Sequence, residues 1–181
     1  CKFCSYYKKK GEEGWDYSQE EMIQMVKDMS EDTKEVHVVG GVHPKHDLHW
    51  YGQLFQEFKK IRPELHIKAF TAVEVSYICK KAGMSVDEGL KALKEYGLDS
   101  MPGGGAEIFD EEIREQICPQ KDTAEQWLGI HETAHSNGIP SNATNLYGHV
   151  ENYYHRVEHL NRLRELQDRT GGFNVFIPLK Y

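Results

Sequence analysis

Short apolar runs alternate along this chain with longer stretches of helical periodicity, and each apolar run ends in glycine or polar residues. The runs predict five β-strands, at residues 35–39, 66–70, 98–101, 139–145 and 173–178. Their starts lie roughly 30 to 40 residues apart, close to the length of a βαβ unit. The pattern therefore predicts an α/β fold in which parallel strands alternate with covering helices.

The stretches between the strands predict helices, because apolar residues recur there at helical spacing. Ser18 and Glu21 form a capping box that opens the first helix, and Pro63 and Gly97 end two later ones. The later helices are predicted at residues 48–61, 86–96, 122–137 and 151–170.

The unusual residues of the chain cluster directly after predicted strands, at 40–44, 70–74, 102–107 and 145–151. In an open parallel sheet and in a closed barrel alike, the carboxyl ends of the strands form the binding face. The pattern does not distinguish these two architectures, but in both of them it places the four clusters on one face.

Composition narrows the class of protein. The chain has 181 residues and 22 Lys+Arg against 29 Asp+Glu, so its net charge of -7 argues against a nucleic-acid partner. Its mean hydropathy is -0.68, and no run approaches the roughly 18 apolar residues that span a membrane. With four cysteines and no disulfide framework, we expect a cytoplasmic protein. The chain starts at Cys1 without Met or a signal peptide, so we expect either that its start was removed or that it is a piece of a longer protein.

The first motif with chemical potential is Cys1-Lys2-Phe3-Cys4. Two thiolates at this spacing suit a redox pair, half of a zinc site or part of an iron–sulfur ligand set, and they can also be two incidental thiols. Cys79 and Cys118 are remote in sequence. A metal site built on this pair would therefore need ligands from outside the chain.

The second motif is the HExxH sequence at residues 131–135. His131 and His135 share one helix face and could bind zinc, with Glu132 as the general base of a hydrolase. However, Ser141 occupies the place of a third histidine, and the helix ends on the face opposite the glycine-rich loops. A solvent-facing helix surface that carries two histidines is therefore the favoured interpretation.

Glycine-rich strand ends form the third feature. The segments at 40–44 and 102–107 let the backbone approach a ligand closely, although glycines also simply end strands. Neither segment is a GxxxxGK[ST] phosphate loop or a GxGxxG dinucleotide motif. Together with Gly148 to Glu151, these loops favour a shared ligand site.

Taken together, the cysteine pair, GGxHP after a strand, PGGGAEIF and a GHxE turn resemble the radical S-adenosylmethionine superfamily. Its signature is C-x3-C-x-aromatic-C, of which Cys1 and Cys4 are similar to the last two cysteines. The first cysteine would lie four residues upstream of Cys1. The resemblance therefore implies that the chain is an internal fragment.

Within the superfamily, long segments resemble the aminofutalosine synthase family of menaquinone biosynthesis. These segments are VVGGVHP, IKAFTAVE, MPGGGAEIFDEEIREQICPQK, NATNLYGHVE and LRELQDRTGGFNVFIPL. The resemblance implies a partial (β/α)6 TIM-like barrel that lacks its first strand and its C-terminal elements. It also implies a single domain, an incomplete radical S-adenosylmethionine core, over residues 1–181.

The resemblance also implies the chemistry. A 4Fe-4S cluster and S-adenosylmethionine would generate a 5′-deoxyadenosyl radical, which adds to 3-((1-carboxyvinyl)oxy)benzoate to give aminofutalosine. An electron donor such as flavodoxin or ferredoxin would be needed, with no nucleic-acid or membrane partner. The isolated fragment is expected to be inactive.

Residue roles follow from the resemblance by position. Cys1 and Cys4 would ligate the cluster, and Phe3, Gly40, Gly41, Thr71, Glu74, Gly148 and Glu151 would bind S-adenosylmethionine. Gly103, Gly104 and Gly105 are the candidate substrate contacts, and His43 and Glu107 are the candidate catalytic residues.

Other functions stay open on the sequence. Cyclic dehypoxanthinyl futalosine synthase and the deazaflavin-forming radical enzymes share GGxHP and a TGGF-like stretch. Residues 108–112 and 117–119 favour the aminofutalosine synthase family over the cyclase. A zinc hydrolase based on the HExxH motif is the distant alternative.

Overall fold

The computed structural model describes residues 3–4, 8 and 11–181, and within them it is an α/β protein. Seven helices are described: α1 (Gln19–Asp28), α2 (Leu48–Ile61), α3 (Ala72–Ala82), α4 (Val86–Tyr96), α5 (Glu111–Ile117), α6 (Ala124–Ser136) and α7 (Tyr153–Thr170). Four strands are described: β1 (Glu35–Val38), β2 (His66–Ala69), β3 (Ser141–Tyr147) and β4 (Phe173–Lys180).

All strand pairings in the described part of the chain are parallel, as predicted. β1 pairs with β2 from Glu35↔His66 to Val38↔Ala69, and β3 pairs with β4. Two isolated parallel bridges, Lys68↔Ser100 and Met101↔Ser141, connect the two pairs. The spatial order is therefore β1, β2, the segment around Ser100, β3 and β4.

The predicted strand at 98–101 is present only as these two bridges. Its Asp99 side chain explains the difference, since Asp99 Oδ2 accepts the Ile67 N–H at 2.7 Å and also pairs with Lys59. A carboxylate thus takes the place of a backbone acceptor in the ladder. Pro102, which has no N–H group, then ends the segment.

The predicted helices agree with the structure to within a few residues, and two further helices were not predicted. α3 begins at a capping box formed by Thr71 and Glu74 and ends at Gly83, which has φ +69°. Its β-branched residues hide the helical pattern. α5 has only seven residues, which is too short for periodicity to show.

One large apolar cluster forms the core between the helices and one face of the strands. Val36, Ile67 and Ala69 contribute from the strands, and Phe55 and Trp127 are the bulkiest contributors from the helices. The opposite face of β1 and β2 carries polar side chains. A smaller cluster, which consists of Ile108, Ile113, Ile117 and Cys118 with Phe3 packed against it, lies beside the glycine-rich loop.

None of the helices in the described ranges is both long and apolar enough to cross a membrane.

β4 is exposed although its sequence is apolar. Val175, Phe176 and Ile177 are 45%, 41% and 39% exposed and alternate between the two faces of the strand. No other strand in the described part of the chain pairs with the second edge of β4. Strands that are apolar on both faces are typical of the interior of a parallel sheet.

We expect the isolated 181-residue chain to self-associate through β4, because an exposed apolar edge strand is a template for pairing. Replacing Val175 and Ile177 together by Lys should reduce this association, measured as the weight-average mass in sedimentation velocity over a concentration series. Glu165→Lys on the exposed face of α7 is the control, since it adds positive charge away from the edge. A wild-type chain that stays monomeric throughout would contradict the expectation.

Candidate functional site

The candidate residues lie at the carboxyl ends of the parallel strands. Gly40 and Gly41 follow β1, Thr71 follows β2, residues 103–107 follow the segment around Ser100, and Gly148 follows β3. In α/β folds this edge is where ligands bind. The structure therefore brings these residues to one face, as the sequence predicted.

Glu74 connects the first two loops. Its Oε1 accepts the N–H groups of Gly40 at 2.9 Å and Gly41 at 3.0 Å, and its Oε2 accepts both the N–H and the hydroxyl of Thr71 at 2.8 Å. The residue is 4% exposed. Both carboxylate oxygens are thus committed to the protein, which makes Glu74 part of the support of the site.

The loop at residues 103–108 is held through its carbonyl groups. Gly103 O accepts from Thr144 Oγ1 at 2.6 Å, and Gly104 O accepts from Trp127 Nε1 at 3.2 Å. Glu107 O accepts from Asn145 Nδ2 at 3.0 Å. The guanidinium of Arg114 donates to the carbonyl groups of Gly105, Ala106 and Ile108. Six consecutive carbonyl groups therefore face protein donors.

Two of the three glycines in this loop are required by close contacts. A Cβ at Gly103 would lie 2.7 Å from the carbonyl oxygen of Asn142, and one at Gly104 would lie 2.9 Å from the Cγ2 of Thr71. The second contact also shows that the loops after β2 and after Ser100 touch each other.

Two non-glycine residues at this edge have left-handed backbone conformations, Phe70 with φ 62° and Glu107 with φ 47°. Such conformations cost on the order of 1–3 kcal/mol and cluster at functional sites. Glu107 is buried and forms an ion pair with Lys121, whose Nζ lies 5.8 Å from the centre of the Phe3 ring. Glu107 is thus linked to the residue beside Cys4.

Glu151 repeats the arrangement of Glu74 at the end of β3. It accepts the N–H groups of Gly148 at 2.6 Å and His149 at 2.9 Å, and it pairs with Arg156. Burial alone would raise the pKa of this carboxyl. The hydrogen bonds from Gly148, His149 and Arg156 outweigh burial and lower the pKa of Glu151 to about 2.

The described part of the cysteine motif lies next to these loops. Phe3 packs against the cluster around Ile108 and meets Tyr181 edge-on at 6.5 Å, and Tyr181 in turn contacts His149. Cys4 is exposed, whereas Cys1 lies outside the described residues. The contacts therefore continue from Glu107 through Lys121, Phe3 and Tyr181 to the turn after β3.

His43 lies in the loop after β1, where its Nε2 is 3.4 Å from Asp16 Oδ1 and its ring stacks on His46 at 3.8 Å. The ligand atoms of these three residues lie within 4.8 Å of one another. However, His43 Nδ1 accepts the N–H groups of Lys45 and His46, so the ring proton sits on Nε2. An Nε2 that carries a proton offers Asp16 a donor and offers a cation no lone pair.

The HExxH motif is part of the core, and the prediction of a solvent-facing surface is wrong for these histidines. His131 is completely buried and His135 is partly buried. His131 Nδ1 and His135 Nε2 both contact the Ser141 hydroxyl, at 2.7 and 2.8 Å. Glu132 pairs with Arg169 at the surface. The motif therefore joins α6 to β3 and has no open position for a hydrolytic water.

Several residues that support the site were not predicted. Arg114, Lys121, Thr144 and Asn145 all hold or pair with the 103–108 loop. The one signal in the sequence is the row of polar residues in β3, SNATN, which is unusual for a buried strand.

Comparisons with known proteins identify the family of the chain. The sequence model of the Radical SAM superfamily matches residues 1–163. The chain is similar to an aminodeoxyfutalosine synthase of Thermus thermophilus, at 48% identity over 100% of the chain and 49% of that protein. It is also similar to an aminodeoxyfutalosine synthase of Streptomyces coelicolor, at 44% identity over 100% of the chain and 47% of that protein.

A relative with a different name also matches the whole chain. It is a 5-amino-6-(D-ribitylamino)uracil--L-tyrosine 4-hydroxyphenyl transferase of Methanothermobacter thermautotrophicus, 39% identical over 100% of the chain and 50% of that protein. The chain thus spans about half the length of the curated relatives it matches. With most of its residues matched by the family, the chain belongs to the radical S-adenosylmethionine superfamily, whose members use a 4Fe-4S cluster and S-adenosylmethionine.

Proposed function

We propose that the protein containing this chain is an aminodeoxyfutalosine synthase of menaquinone biosynthesis, which joins the 5′-deoxyadenosyl group to 3-((1-carboxyvinyl)oxy)benzoate. The observation that carries the proposal is the identity of 48% and 44% to two proteins of that name over the whole chain. The site face with its connected loops supports an enzyme of this type.

We also propose that residues 1–181 form one incomplete core domain, part of a (β/α)6 TIM-like barrel. Two observations support this architecture: the strands from β1 to β4 are all parallel, and β4 has exposed apolar residues on both of its faces. In such a barrel β4 would be an interior strand, with its second edge paired by chain outside these residues.

The residues present fit the cofactors. Cys4 is an exposed thiol beside the connected loops, which suits a cluster ligand, and Cys1 is proposed as a second ligand. The turn at Gly40 and Gly41 has no heavy atoms within 4 Å of the position of either missing Cβ, so it leaves room for a ligand. When bound, the cluster and S-adenosylmethionine supply the 5′-deoxyadenosyl group and the radical chemistry.

The other site residues take roles on the same face. Phe3 would pack near the adenine, Gly40 and Gly41 would hold the methionine end, and the turn of Gly148 with Glu151 would border the adenine and ribose. Thr71 lies between the cofactor side and the 103–105 loop. Its neighbour Glu74 supports the same edge through its hydrogen bonds.

The substrate would lie against the loop of Gly103, Gly104 and Gly105, with His43 and Glu107 as the catalytic candidates. His43 carries its proton on Nε2 and would donate it to a substrate oxygen that replaces the contact with Asp16 at 3.4 Å. Glu107 is held by Lys121 in a strained conformation. Both residues would position substrate groups and exclude water.

Enzymes of this superfamily act on small molecules and need a reductant. We propose flavodoxin or ferredoxin as the electron donor and a cytoplasmic location, with no nucleic-acid or membrane partner. The net charge of -7 supports the absence of nucleic acid.

A second candidate function is the transfer of a 4-hydroxyphenyl group from tyrosine, because a transferase of that name is 39% identical over the whole chain. The two candidates differ in substrate. Full-length protein, reconstituted anaerobically and reduced, should be incubated with S-adenosylmethionine and, in three separate reactions, with 3-((1-carboxyvinyl)oxy)benzoate, with tyrosine plus the aminouracil, and with dehypoxanthinyl futalosine. Aminofutalosine, identified by mass spectrometry, supports the synthase, and the hydroxyphenyl adduct supports the transferase. A cyclic product formed from dehypoxanthinyl futalosine would point to the cyclase instead.

We expect Cys4→Ala in the full-length protein to lose the cluster, because a 4Fe-4S centre of this kind depends on its few thiolate ligands. Iron should fall well below about four per chain, and the broad iron–sulfur absorbance should disappear. Cys79→Ala is the control, since that thiol is buried and burial raises its pKa to about 11. Full iron content in Cys4→Ala would remove Cys4 from the ligand set.

A further inference from the structure

We propose that Glu74 is a positioning residue for S-adenosylmethionine: it fixes the Gly40–Gly41 turn so that the backbone carbonyl groups of Val39 and Gly40 point toward the ammonium group of the cofactor's methionine. The proposal rests on the proposed function, in which this turn faces the cofactor.

The first argument is the reach of the side chain. Glu74 begins α3, yet one of its oxygens accepts two consecutive N–H groups from the loop after β1, more than thirty residues earlier in the chain. In a trans peptide the N–H and C=O groups point in opposite directions. The described residues contain no cis peptide bond. Fixing the N–H groups of Gly40 and Gly41 therefore turns the carbonyl groups of Val39 and Gly40 away from Glu74.

The second argument is charge. Glu74 is 4% exposed, and all four of its hydrogen-bond donors are uncharged backbone or hydroxyl groups. It forms no ion pair with any described residue. A buried carboxylate without a cation favours positive charge nearby. The negative charge of Glu74 already affects a neighbouring group: burial raises the pKa of Tyr51 to about 12, and the charge of Glu74 is the second cause of this rise. An ammonium group beyond the turn is the ligand group that this field and the two carbonyl oxygens would both attract.

The third argument separates this role from helix capping. α4 begins with the same capping box, in which Glu88 Oε2 accepts the N–H of Ser85 at 2.8 Å and its hydroxyl at 2.7 Å. Glu88 is exposed, and its side chain accepts hydrogen bonds from Ser85, at the start of its own helix. A capping box thus needs only the local bonds. The two bonds to Gly40 and Gly41 are additional.

Glu74 and Glu88, which share the local capping bonds but differ in the bonds to the turn after β1, provide a matched experiment. Glu74→Gln and Glu88→Gln are each made in the full-length protein, which is reconstituted anaerobically with iron and sulfide. Binding of S-adenosylmethionine is followed by the change it causes in the electron paramagnetic resonance spectrum of the reduced cluster, and KM and kcat are measured separately. Thermal unfolding and iron content are recorded for each variant.

We expect both variants to keep their iron. Glu74→Gln should lose more thermal stability than Glu88→Gln, because its amide nitrogen cannot accept the N–H groups that the carboxylate accepts. Glu74→Gln should weaken S-adenosylmethionine binding and raise its KM by about tenfold or more, with a much smaller change in kcat. Glu88→Gln should stay within about twofold of wild type. Equal affinity in the two variants would reduce Glu74 to a helix cap and overturn the proposal.

Gly41→Ala keeps the test decisive if Glu74→Gln does not fold. Gly41 has φ 75° and no heavy atom within 4 Å of an added Cβ, so alanine strains the turn without a clash and leaves the cap of α3 intact. It should weaken S-adenosylmethionine binding in the same way, and unchanged binding would contradict the proposal. A wild-type protein that holds no cluster would instead overturn the proposed function, a result distinct from any difference between variants.

Discussion

Acidification from about pH 7.5 to about pH 5 is expected to remove about 4 to 6 kcal/mol from the free energy of unfolding of this fold. Three histidines cause the loss, because the folded protein holds them neutral. Burial, with a smaller contribution from the charge of His135, lowers the pKa of His131 to about 3. Burial also lowers the pKa of His135 and the pKa of His159 to about 4 each. For His159 the hydrogen bond to the Thr144 carbonyl acts in the opposite direction, but the effect of burial is larger.

The direction follows from which state binds protons. In the unfolded chain these side chains have a pKa of 6.5. Below that pH the unfolded state binds more protons than the folded state, which stabilises the unfolded state. Their stabilising contribution is complete above about pH 7 and falls as the pH drops toward 4. At pH 5 each histidine accounts for about 2 kcal/mol. A total of this size is comparable with the whole stability of many domains.

Urea unfolding at the two pH values measures the effect, and His159→Gln tests its origin. The glutamine amide can replace the contact of His159 Nε2 with the Thr144 carbonyl at 2.9 Å, but it takes up no proton. The loss on acidification should therefore shrink by about 2 kcal/mol in this variant. His49→Gln changes an exposed histidine and should leave the loss as in wild type. A pH response that His159→Gln does not alter would show that His159 has no part in it.

Replacing Arg114 by Met is expected to lower the free energy of unfolding by about 3 to 5 kcal/mol. The side chain is almost completely buried, and its guanidinium donates to the carbonyl groups of Gly105, Ala106, Ile108 and Asp122. Methionine fills much of the space but leaves three buried carbonyl oxygens and the part-buried carbonyl oxygen of Asp122 without this donor. The 103–108 loop should then lose its fixed shape together with the stability.

Arg114→Lys is expected to fall between Met and wild type, because an ammonium group cannot reach all four carbonyl groups at once. Arg164→Met is the control, since Arg164 is exposed and pairs with Asp168 one turn along α7. That variant should change the stability by less than about 1 kcal/mol. Urea unfolding at pH 7.5 compares the three. An Arg114→Met protein as stable as the control would show that the four bonds contribute little.

The fold was predictable where local pattern and tertiary structure agree. Glycines and apolar runs located β1, β2, β3 and β4, and a capping residue or a glycine marked the ends of most helices. Helix α3 was not predicted, because the residues that begin it were assigned another role. Thr71 and Glu74 were predicted as ligand contacts, and their T-x-x-E spacing is also the capping box that begins α3.

The convergence of the candidate residues at one edge of the strands was predictable, and the residues that support these loops were not. Strand ends in a parallel sheet converge by geometry, so the positions of Gly40, Gly103 and Gly148 followed from the strand pattern. By contrast, Arg114 donates to backbone carbonyl groups, and every residue has one, so the amino-acid sequence does not identify its partners. The buried ring of His131 finds its hydrogen-bond partner in the hydroxyl of Ser141, on a strand that comes later in the chain.

The carbonyl and N–H groups of the 103–108 loop differ in how far they are free to bind a ligand. Because each of these oxygens already accepts a hydrogen bond from the scaffold, the loop backbone has mainly N–H groups left to offer. A molecule that contacts it through polar atoms is selected for acceptors, such as a carboxylate or a phosphate, and against ammonium groups. The loop after β1, whose carbonyl groups we propose to face the cofactor, would have the opposite preference. Under the proposed function, two turns at one edge of the sheet would therefore favour ligand groups of opposite charge.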